Sequence, residues 1–357
     1  MNRAKAISLL SGGLDSTLAI LVLLKQDIDV TAITYLTHFG CDISDTSSCS
    51  RDPFPAAEKY GFQVKLSHLA DKFMDIVKNP KYGHGKNMNP CIDCRILMLR
   101  EAKQLMEIIG ADFLVTGEVL GQRPMSQRKD TFPLIDREAG VEGLVLRPLS
   151  AKLLKPTIAE IKGFVDRDGL YDFSGRTRKP QMALAEELGL HDYPAPAGGC
   201  LLTDPIYSYR LKELLMHDPD PDTREINLLQ VGRHFRVSEH CKIIIGRNHP
   251  ENEKLSSLTA KNDWILWVEN YGSPTTIITG NPDQGTIEAA AAMTARYSDA
   301  KYLPGVNVTI YNEIGGQKDI LTVKPADDDL LDSTRVEKKR NKVVLSCRVE
   351  SKCTENR

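Results

Sequence analysis

Residues that could bind a phosphate follow the first apolar run of the chain. The run over residues 5–10 leads into Ser11-Gly12-Gly13-Leu14-Asp15-Ser16-Thr17, and a helix-patterned stretch then continues to about Lys25. Glycines permit close backbone approach, serines add hydroxyl donors, and a helix start offers unpaired N–H groups and a positive dipole end. The pattern predicts a pyrophosphate cradle formed by Ser11, Gly12, Gly13, Asp15, Ser16 and Thr17. No lysine follows the glycines, which excludes the phosphate loop of kinases and GTPases.

Three cysteines stand where sulfur could react. Cys91 and Cys94 open a helix predicted over residues 91–109, and Cys200 follows two glycines in a turn rich in proline and glycine. Helix starts favour reactive cysteines, and small neighbours leave a sulfur accessible, so these positions favour chemistry over core packing. The other five cysteines have no comparable context and are interpreted as ordinary residues: Cys41, Cys49, Cys241, Cys347 and Cys353.

Short apolar runs alternate with helical stretches in the first part of the chain. This alternation predicts a parallel sheet in an α/β domain that ends near Pro205, with ligands bound at the carboxyl ends of the strands. Strands are predicted at residues 5–10, 30–35, 62–66, 113–116 and 145–149, and helices at residues 15–25, 55–60, 91–109, 157–166 and 181–188.

The pattern changes in the second part of the chain. Residues 206–242 contain Pro219 and Pro221 and are predicted as a helical connector. Residues 243–326 are predicted as a smaller α+β domain, with strands at 264–268, 275–279 and 306–311 and an alanine-rich helix over 286–298. Residues 327–357 are predicted as a charged tail with one strand at 343–349.

Composition limits the class of protein. The 357 residues are 41% hydrophobic, which excludes general disorder and suggests two or three domains. A net charge of -2 excludes a bulk polyanion binder, so any nucleic-acid site must be a local patch. No apolar run approaches the roughly 20 residues that cross a bilayer. Eight cysteines are too sparse for a disulfide scaffold. We therefore expect a soluble, cytoplasmic protein that has no contact with a membrane.

One segment carries a local excess of positive charge. Residues 147–179 hold eight basic and four acidic side chains. Such an excess is compatible with a solvated face or with a phosphate-backbone contact. The candidate RNA-binding residues are Lys152, Lys155, Arg176, Arg178 and Lys179.

The heptapeptide at Ser11 resembles the PP-loop ATP pyrophosphatases, whose members cleave ATP between the α and β phosphates and adenylate a carbonyl oxygen. The resemblance implies an adenine nucleotide alpha hydrolase-like fold, with ATP and Mg²⁺ as cofactors and Asp15 positioning the metal or the loop. Val115-Thr116-Gly117-Glu118 is similar to the Thr-Gly-His of the tRNA thiolases, with Glu118 in place of histidine. This likeness implies ATP contacts at Gly117 and, at the end of the second strand, near Tyr35.

The segment Asn89-Pro90-Cys91-Ile92-Asp93-Cys94, together with Cys200, is similar to the pattern of the tRNA 2-thiouridylases and 4-thiouridine synthetases. It implies that Cys94 and Cys200 are the paired catalytic cysteines and that Cys91 takes a position that is aspartate in some members. One mechanism uses a persulfide on Cys200 and a disulfide with Cys94. The other uses a [4Fe–4S] cluster on all three cysteines, and the presence of all three favours it. Structural zinc lacks a fourth ligand, and an inert set of cysteines is the remaining alternative.

The C-terminal part resembles the NFACT-R domain, a proposed RNA-binding module. Gly246-Arg247-Asn248, Asn262–Val268, Gly272-Ser273-Pro274 and the helix over 289–297 carry the likeness. Trp264 and Trp267 lie within it, and their spacing on a strand places them on opposite faces.

These resemblances together imply an ATP-dependent tRNA sulfurtransferase that releases AMP and pyrophosphate. Its partners would be tRNA and a sulfur donor, either sulfide or a persulfide carrier, and a homodimer is compatible with this organisation. One alternative is a PP-loop enzyme that activates a small-molecule carbonyl, by amidotransfer or cofactor sulfur insertion. Another is a non-catalytic RNA-binding protein that senses ATP.

Overall fold

A computed structural model describes residues 3–39, 52–195, 200–316 and 318–337 of the chain. It divides the chain into two compact units, Met1–Asp204 and Pro205–Arg357. Among the described residues, no helix has the length and apolar character needed to span a membrane.

The first unit contains a five-stranded sheet in which every neighbouring pair is parallel. The strand order is β3-β2-β1-β4-β5, as the α/β prediction requires, and that prediction is confirmed. The strands are β1 (Lys5–Leu9), β2 (Asp29–Leu36), β3 (Gln63–His68), β4 (Phe113–Thr116) and β5 (Val145–Leu146). The helices are α1 (Leu14–Leu24), α2 (Phe54–Tyr60), α3 (Ala70–Lys78), α4 (Cys91–Ile109), α5 (Thr131–Ala139), α6 (Ile158–Ile161) and α7 (Lys179–Glu187).

Helices cover both faces of this sheet, because alternate residues of its strands point to opposite sides. In β1, Ala6 packs into a cluster with α1 and α7, whereas Ile7 packs into a second cluster with α4 and α5. The chain moves outward from β1 to β3 and then returns to place β4 on the other side of β1. The carboxyl ends of β1 and β4 therefore border the crevice where α/β sheets bind ligands.

Two predicted elements of this unit are much shorter than expected. The strand predicted at 145–149 covers only Val145–Leu146, because Arg147 turns into a buried ion pair and Pro148 cannot donate to a strand ladder. The helix predicted at 157–166 covers only Ile158–Ile161. It ends just before Gly163, which has a left-handed φ of 68°.

The second unit contains a six-stranded antiparallel sheet in the order β11-β10-β8-β9-β7-β6. The strands are β6 (Arg233–Ser238), β7 (Cys241–Ile245), β8 (Trp264–Val268), β9 (Thr276–Thr279), β10 (Val306–Asn312) and β11 (Lys318–Val323). The helices are α8 (Pro205–His217), α9 (Thr223–Leu228), α10 (His249–Ser257), α11 (Gln284–Arg296) and α12 (Asp328–Thr334). Helix α11 packs on the sheet and shares its core.

The prediction that residues 206–242 form a helical connector is wrong beyond α9. Residues 233–238 form β6, which pairs with β7 and buries Phe235 in the core of the sheet. The prediction of a charged tail from residue 327 is also wrong at its start, because α12 buries Leu331 in the same core. The strand predicted at 343–349 lies outside the described residues.

Candidate active site at the carboxyl edge of the parallel sheet

The predicted phosphate loop connects β1 to α1 as expected. Gly12 has a left-handed φ of 71°, and Gly13 is the N-cap of α1. No side chain of the described residues caps this helix end, so its first N–H groups point into the loop. The Ser16 hydroxyl donates to the Gly13 carbonyl oxygen at 2.9 Å and accepts from the Ser11 N–H at 3.3 Å. The hydroxyl of Thr17 also donates to the Gly13 carbonyl oxygen, at 3.1 Å. The loop is thus closed on itself and presents backbone donors to an anion.

Asp15 lies inside this loop in a polar cluster that the sequence did not indicate. Gln122 Nε2 donates to Asp15 Oδ2 at 3.0 Å. Burial raises the pKa of Asp15, while the Gln122 hydrogen bond and the charges of Arg178 and Arg123 oppose the rise. Among the described residues, Asp15 Oδ1 and both amide atoms of Gln181, a side chain only 1% exposed, make no well-formed hydrogen bond, although the Gln181 amide lies close enough to Asp15 to lower the pKa of its carboxyl. Buried polar atoms without partners indicate that a ligand, ion or water completes the cluster.

Gly117 has a packing role at this site. A Cβ atom on Gly117 would lie 2.5 Å from backbone atoms of both Asp15 and Ser16. Only glycine lets the end of β4 approach the phosphate loop this closely. Gly117 therefore sets the position of the loop, and direct contact between Gly117 and ATP stays a prediction.

The segment after β4 connects the phosphate loop to the first predicted cysteine. Gln122 of this segment holds Asp15, and four residues later Ser126 accepts a hydrogen bond from Cys91 Sγ at 3.2 Å. Ser126 is fully buried. One short segment therefore positions both the proposed ATP-binding carboxylate and a thiol.

Cys200 lies at the same edge of the sheet. Its Sγ contacts the carbonyl oxygen of Phe39, which follows β2, at 3.7 Å. Two hydrogen bonds hold the segment after Cys200 against the loop that precedes Cys91. Met88 N donates to Leu202 O at 3.2 Å, and Asn87 Nδ2 donates to Thr203 O at 2.7 Å. The structure thus brings the Cys200 segment to the loop that leads into Cys91 and Cys94, although about a hundred residues separate them in sequence.

A buried charge network supports the turn of α4 that carries Cys94. Arg95 Nε lies 3.4 Å from Glu118 Oε1, and Arg147 Nε donates to Glu118 Oε2 at 3.1 Å. Arg147 also makes two hydrogen bonds to Asp136, at 2.8 and 3.0 Å. Glu118 and Arg147 are only 3% and 4% exposed. Glu118, which stands where the related pattern has histidine, therefore anchors the residue next to Cys94.

The three cysteines are the predicted ligands of an iron–sulfur cluster. Thiolates are the donors such a cluster needs, and all three side chains are partly buried. However, no three His, Cys, Asp or Glu side chains within the described ranges converge on a point where a metal ion could be held. The described residues thus show no preformed site for the cluster, so the cluster stays a prediction and we derive no step through one.

Tyr35 lies in the core between the sheet and α4. Its hydroxyl donates to the Met98 carbonyl oxygen at 2.8 Å, and burial raises the pKa of the phenol far above its ordinary value. The side chain belongs to the cluster that contains Ile96 and Leu99. This placement favours a packing role, and adenine contact by Tyr35 stays a prediction.

The predicted RNA-binding residues fall into two groups. Arg178 acts electrostatically on Asp15 and therefore lies near the phosphate loop, whereas RNA contact by Arg178 stays a prediction. The other four side chains are solvent-exposed, and Lys152 Nζ donates to the Asp168 carbonyl oxygen at 2.9 Å. The exposed group is Lys152, Lys155, Arg176 and Lys179.

The fold and site together define a PP-loop unit, followed by a second unit with an antiparallel sheet. The model of the thiamine biosynthesis protein ThiI matches residues 2–179, and that of the NFACT protein RNA binding domain matches residues 232–334. The chain accordingly belongs to the PP-loop ATP pyrophosphatases of the tRNA thiolation group and carries an NFACT-R domain.

Curated relatives agree with this assignment. The chain is 28% identical to the tRNA-specific 2-thiouridylase MnmA of Herpetosiphon aurantiacus, over 59% of this chain and 59% of the relative. It is 26% identical to MnmA 1 of Caldanaerobacter subterraneus subsp. tengcongensis, over 63% of each. The chain thus spans less than two thirds of the length of these relatives. A solved structure, the NMN synthetase of Francisella tularensis, aligns at 12% identity and a TM-score of 0.27, over 54% of this chain and 89% of that one.

Proposed function

We propose that this chain is an ATP-dependent tRNA sulfurtransferase that adenylates a uracil carbonyl oxygen and replaces it with sulfur. The main support for the proposal is that the segment after β4 contacts both the phosphate loop and a cysteine. It binds the Asp15 carboxylate of the phosphate loop through Gln122 and accepts a hydrogen bond from Cys91 through Ser126. A nucleotide on the loop and a sulfur at the cysteines would then react at one edge of the sheet.

The loop residues would hold ATP through its phosphates. The N–H groups at the start of α1 and the hydroxyl of Ser11 would bind the β and γ phosphates, and Arg178 would supply positive charge beside them. Mg²⁺ fits beside the loop because Asp15 Oδ1 is a buried carboxylate oxygen that lacks a partner among the described residues. When bound, the ion neutralises the charge that develops on departing pyrophosphate.

The uracil oxygen would attack the α phosphate and form an O-adenylated uracil, with pyrophosphate as the leaving group. A persulfide on Cys200, loaded by an external sulfur donor, would attack the activated carbon through its outer sulfur and displace AMP. The thiolate of Cys94 would then attack the inner sulfur, form a disulfide with Cys200 and release the thiocarbonyl. An external thiol would reduce the disulfide before the next turnover.

The exposed basic residues would offer positive charge to the phosphate backbone of the RNA: Lys152, Lys155, Arg176 and Lys179. The NFACT-R domain provides further RNA-binding surface. On this proposal the protein acts in the cytoplasm, where unmodified tRNA is available.

The proposal is tested by incubating the full chain with unmodified tRNA, ATP, Mg²⁺ and a persulfide donor, and by analysing the digested RNA by mass spectrometry. We expect an ATP-dependent thiouridine that is lost in Cys94→Ser and Cys200→Ser. Cys241→Ser is the matched control, because Cys241 is buried in the sheet of the second unit. Absence of new thiouridine with the wild-type chain, while the same chain thiolates or amidates a small molecule, would overturn the choice of substrate.

A further inference from the structure

The second unit contains a charged cavity that the thiolation chemistry does not use. Its volume is about 420 Å³, within the range of small-ligand sites. It lies between the start of β6, the end of α11 and the helix α12. Four basic side chains line it, together with Tyr297 and three aspartates: the basic residues are Arg233, Arg296, Lys301 and Arg335.

Tyr297 holds two of these arginines in fixed positions. The guanidinium carbon of Arg233 lies 4.4 Å from the centre of the Tyr297 ring, and Arg335 Nη2 donates to the Tyr297 hydroxyl at 2.8 Å. The ring itself packs on Phe235, with 6.2 Å between the ring centres, and Arg335 also lies over Phe235. The guanidinium groups are thus ordered before any ligand arrives, which lowers the entropy cost of binding.

The charges at this cavity are not balanced within it. In the described part of the chain no carboxylate lies within ion-pair distance of Arg233, whereas Arg296 is paired with Asp328 at 3.1 Å and Arg335 with Glu337 at 3.7 Å. Burial lowers the pKa of Arg233, the positive charges of Arg247 and Arg335 lower it further, and Tyr297 and Glu251 oppose this decrease. A half-buried guanidinium beside other cations is stabilised by an anion, and its fork geometry suits a phosphate.

The aspartates of the lining narrow the choice of ligand. Asp299 and Asp332 share the cavity with the arginines, so it is not the continuous basic surface that tracks the backbone of a duplex. A phosphate would bind to the arginines, while the carboxylates can accept hydrogen bonds from ribose hydroxyls. The 2′-hydroxyl of RNA is such a donor.

We propose that this cavity binds one phosphate of a single-stranded RNA segment, with Arg233 and Arg335 as the donors and Tyr297 as the residue that positions them. The proposal rests on the RNA-directed function proposed above, and it assigns to the second unit a specific contact with the RNA. Inorganic phosphate or a free mononucleotide would share the same chemistry, and the test separates these sources from RNA.

The test measures binding of a fluorescently labelled single-stranded RNA to the full chain by anisotropy, over a series of salt concentrations. We expect the Arg233→Gln/Arg335→Gln variant to bind about tenfold more weakly or worse, since each lost contact is a charged hydrogen bond. The slope of log K against log salt should fall by about 0.7 for the one phosphate lost. The matched control is Lys254→Gln/Lys261→Gln, which removes two exposed positive charges of the same unit outside the cavity lining. This control should leave affinity and slope near the wild-type values.

Thermal melting verifies that each variant folds. If the double variant unfolds, the single variant Arg335→Gln is measured instead. Arg335 follows the end of α12 and is partly exposed, so its replacement should leave the fold intact. Tyr297→Phe keeps the ring beneath Arg233 and removes the acceptor of Arg335, so it should weaken binding by less than the double variant does.

Three results would overturn the inference, and they are distinguishable. If the wild-type chain binds RNA and the double variant binds it equally well, the cavity is not the site and the proposed function stands. If the wild-type chain binds no RNA at all, the RNA-directed function fails with it. If inorganic phosphate or AMP binds at the cavity but does not change the affinity for RNA, the cavity is a small-anion site. This result also refutes the inference.

Discussion

Replacement of Gly117 by alanine should damage the phosphate loop through packing alone. The new Cβ would lie 2.5 Å from backbone atoms of Asp15 and Ser16, whereas carbon atoms in contact are about 3.5–4.0 Å apart. The start of α1 must therefore move by roughly 1 Å. Overpacking of this kind costs about 3 kcal/mol, at the upper end of its range, because backbone cannot step aside as a flexible side chain can.

The assay is calorimetric unfolding of the full chain with and without ATP and Mg²⁺. For a unit of this size, such a loss of stability lowers the melting temperature by roughly 6–12 °C. The stabilisation that ATP gives the wild-type chain should also shrink, because the displaced atoms belong to the loop.

Two glycine substitutions serve as matched controls. A Cβ on Gly13 would meet only Ser11 Oγ, at 3.5 Å, which is an ordinary contact, so Gly13→Ala should fold normally. Its methyl group nevertheless stands at the helix N-cap and should weaken ATP binding. In Gly285→Ala, at an exposed position of α11, the nearest atom to the new Cβ is Asp283 Oδ1 at 3.8 Å, an ordinary contact, so ATP binding should change little. The reasoning is refuted if Gly117→Ala melts like the wild type and is stabilised equally by ATP.

Three further predictions follow from charges at the site. Asp15→Asn should stabilise the chain in the absence of ATP. Folding raises the pKa of the Asp15 carboxyl above 3.8, so the ionised carboxylate costs stability as the pH rises through the folded-state pKa. Urea unfolding of both proteins at acidic and at neutral pH measures this difference in stability. Arg147→Met should destabilise the chain by about 3–5 kcal/mol in denaturant unfolding, because it leaves the carboxylate of Asp136 buried without its two hydrogen bonds. Arg178→Ala should raise the dissociation constant for ATP in titration calorimetry, whereas Arg176→Ala, an exposed control, should not.

Each of these predictions has a contrary outcome. A stability gain in Asp15→Asn that is equal at acidic and neutral pH would show that ionisation of the carboxyl is not its cause. Unchanged unfolding of Arg147→Met would mean that the ion pair contributes little. Equal ATP affinities in the two arginine variants would remove Arg178 from the nucleotide site.

The phosphate loop could be predicted from the sequence because its information is local. Seven consecutive residues between a strand and a helix determine the backbone turn, and Ser16 closes it through contacts within five positions. The parallel sheet could be predicted for a related reason, since alternating strands and helices permit few topologies.

Contacts across the sheet could not be predicted in this way. Gln122 is 107 residues from Asp15, and a glutamine in a turn carries no local signal of its partner. Arg178 was grouped with the RNA-binding residues on charge alone, and only the tertiary structure places it near Asp15. Glu118 was noted as a departure from the thiolase pattern, but its ion pair with Arg95 depends on how α4 packs beside β4.

Strand β6 was missed although its pattern was visible. Phe235 and Val237 alternate with polar residues, which is the period of a half-buried strand. The prolines upstream suggested a connector instead, and the pairing with β7 outweighed that local indication.

The measurement that tests the central claim most directly is the identity of the products formed from ATP. The full chain is incubated with ATP labelled in the α phosphate, Mg²⁺, a persulfide donor and unmodified tRNA, and the labelled products are separated by chromatography. We expect labelled AMP, released together with unlabelled pyrophosphate, only when tRNA is present, and we expect its loss in Ser16→Ala, which removes the hydroxyl that closes the loop. Formation of labelled ADP, or AMP formation that does not depend on RNA, would contradict the proposed function.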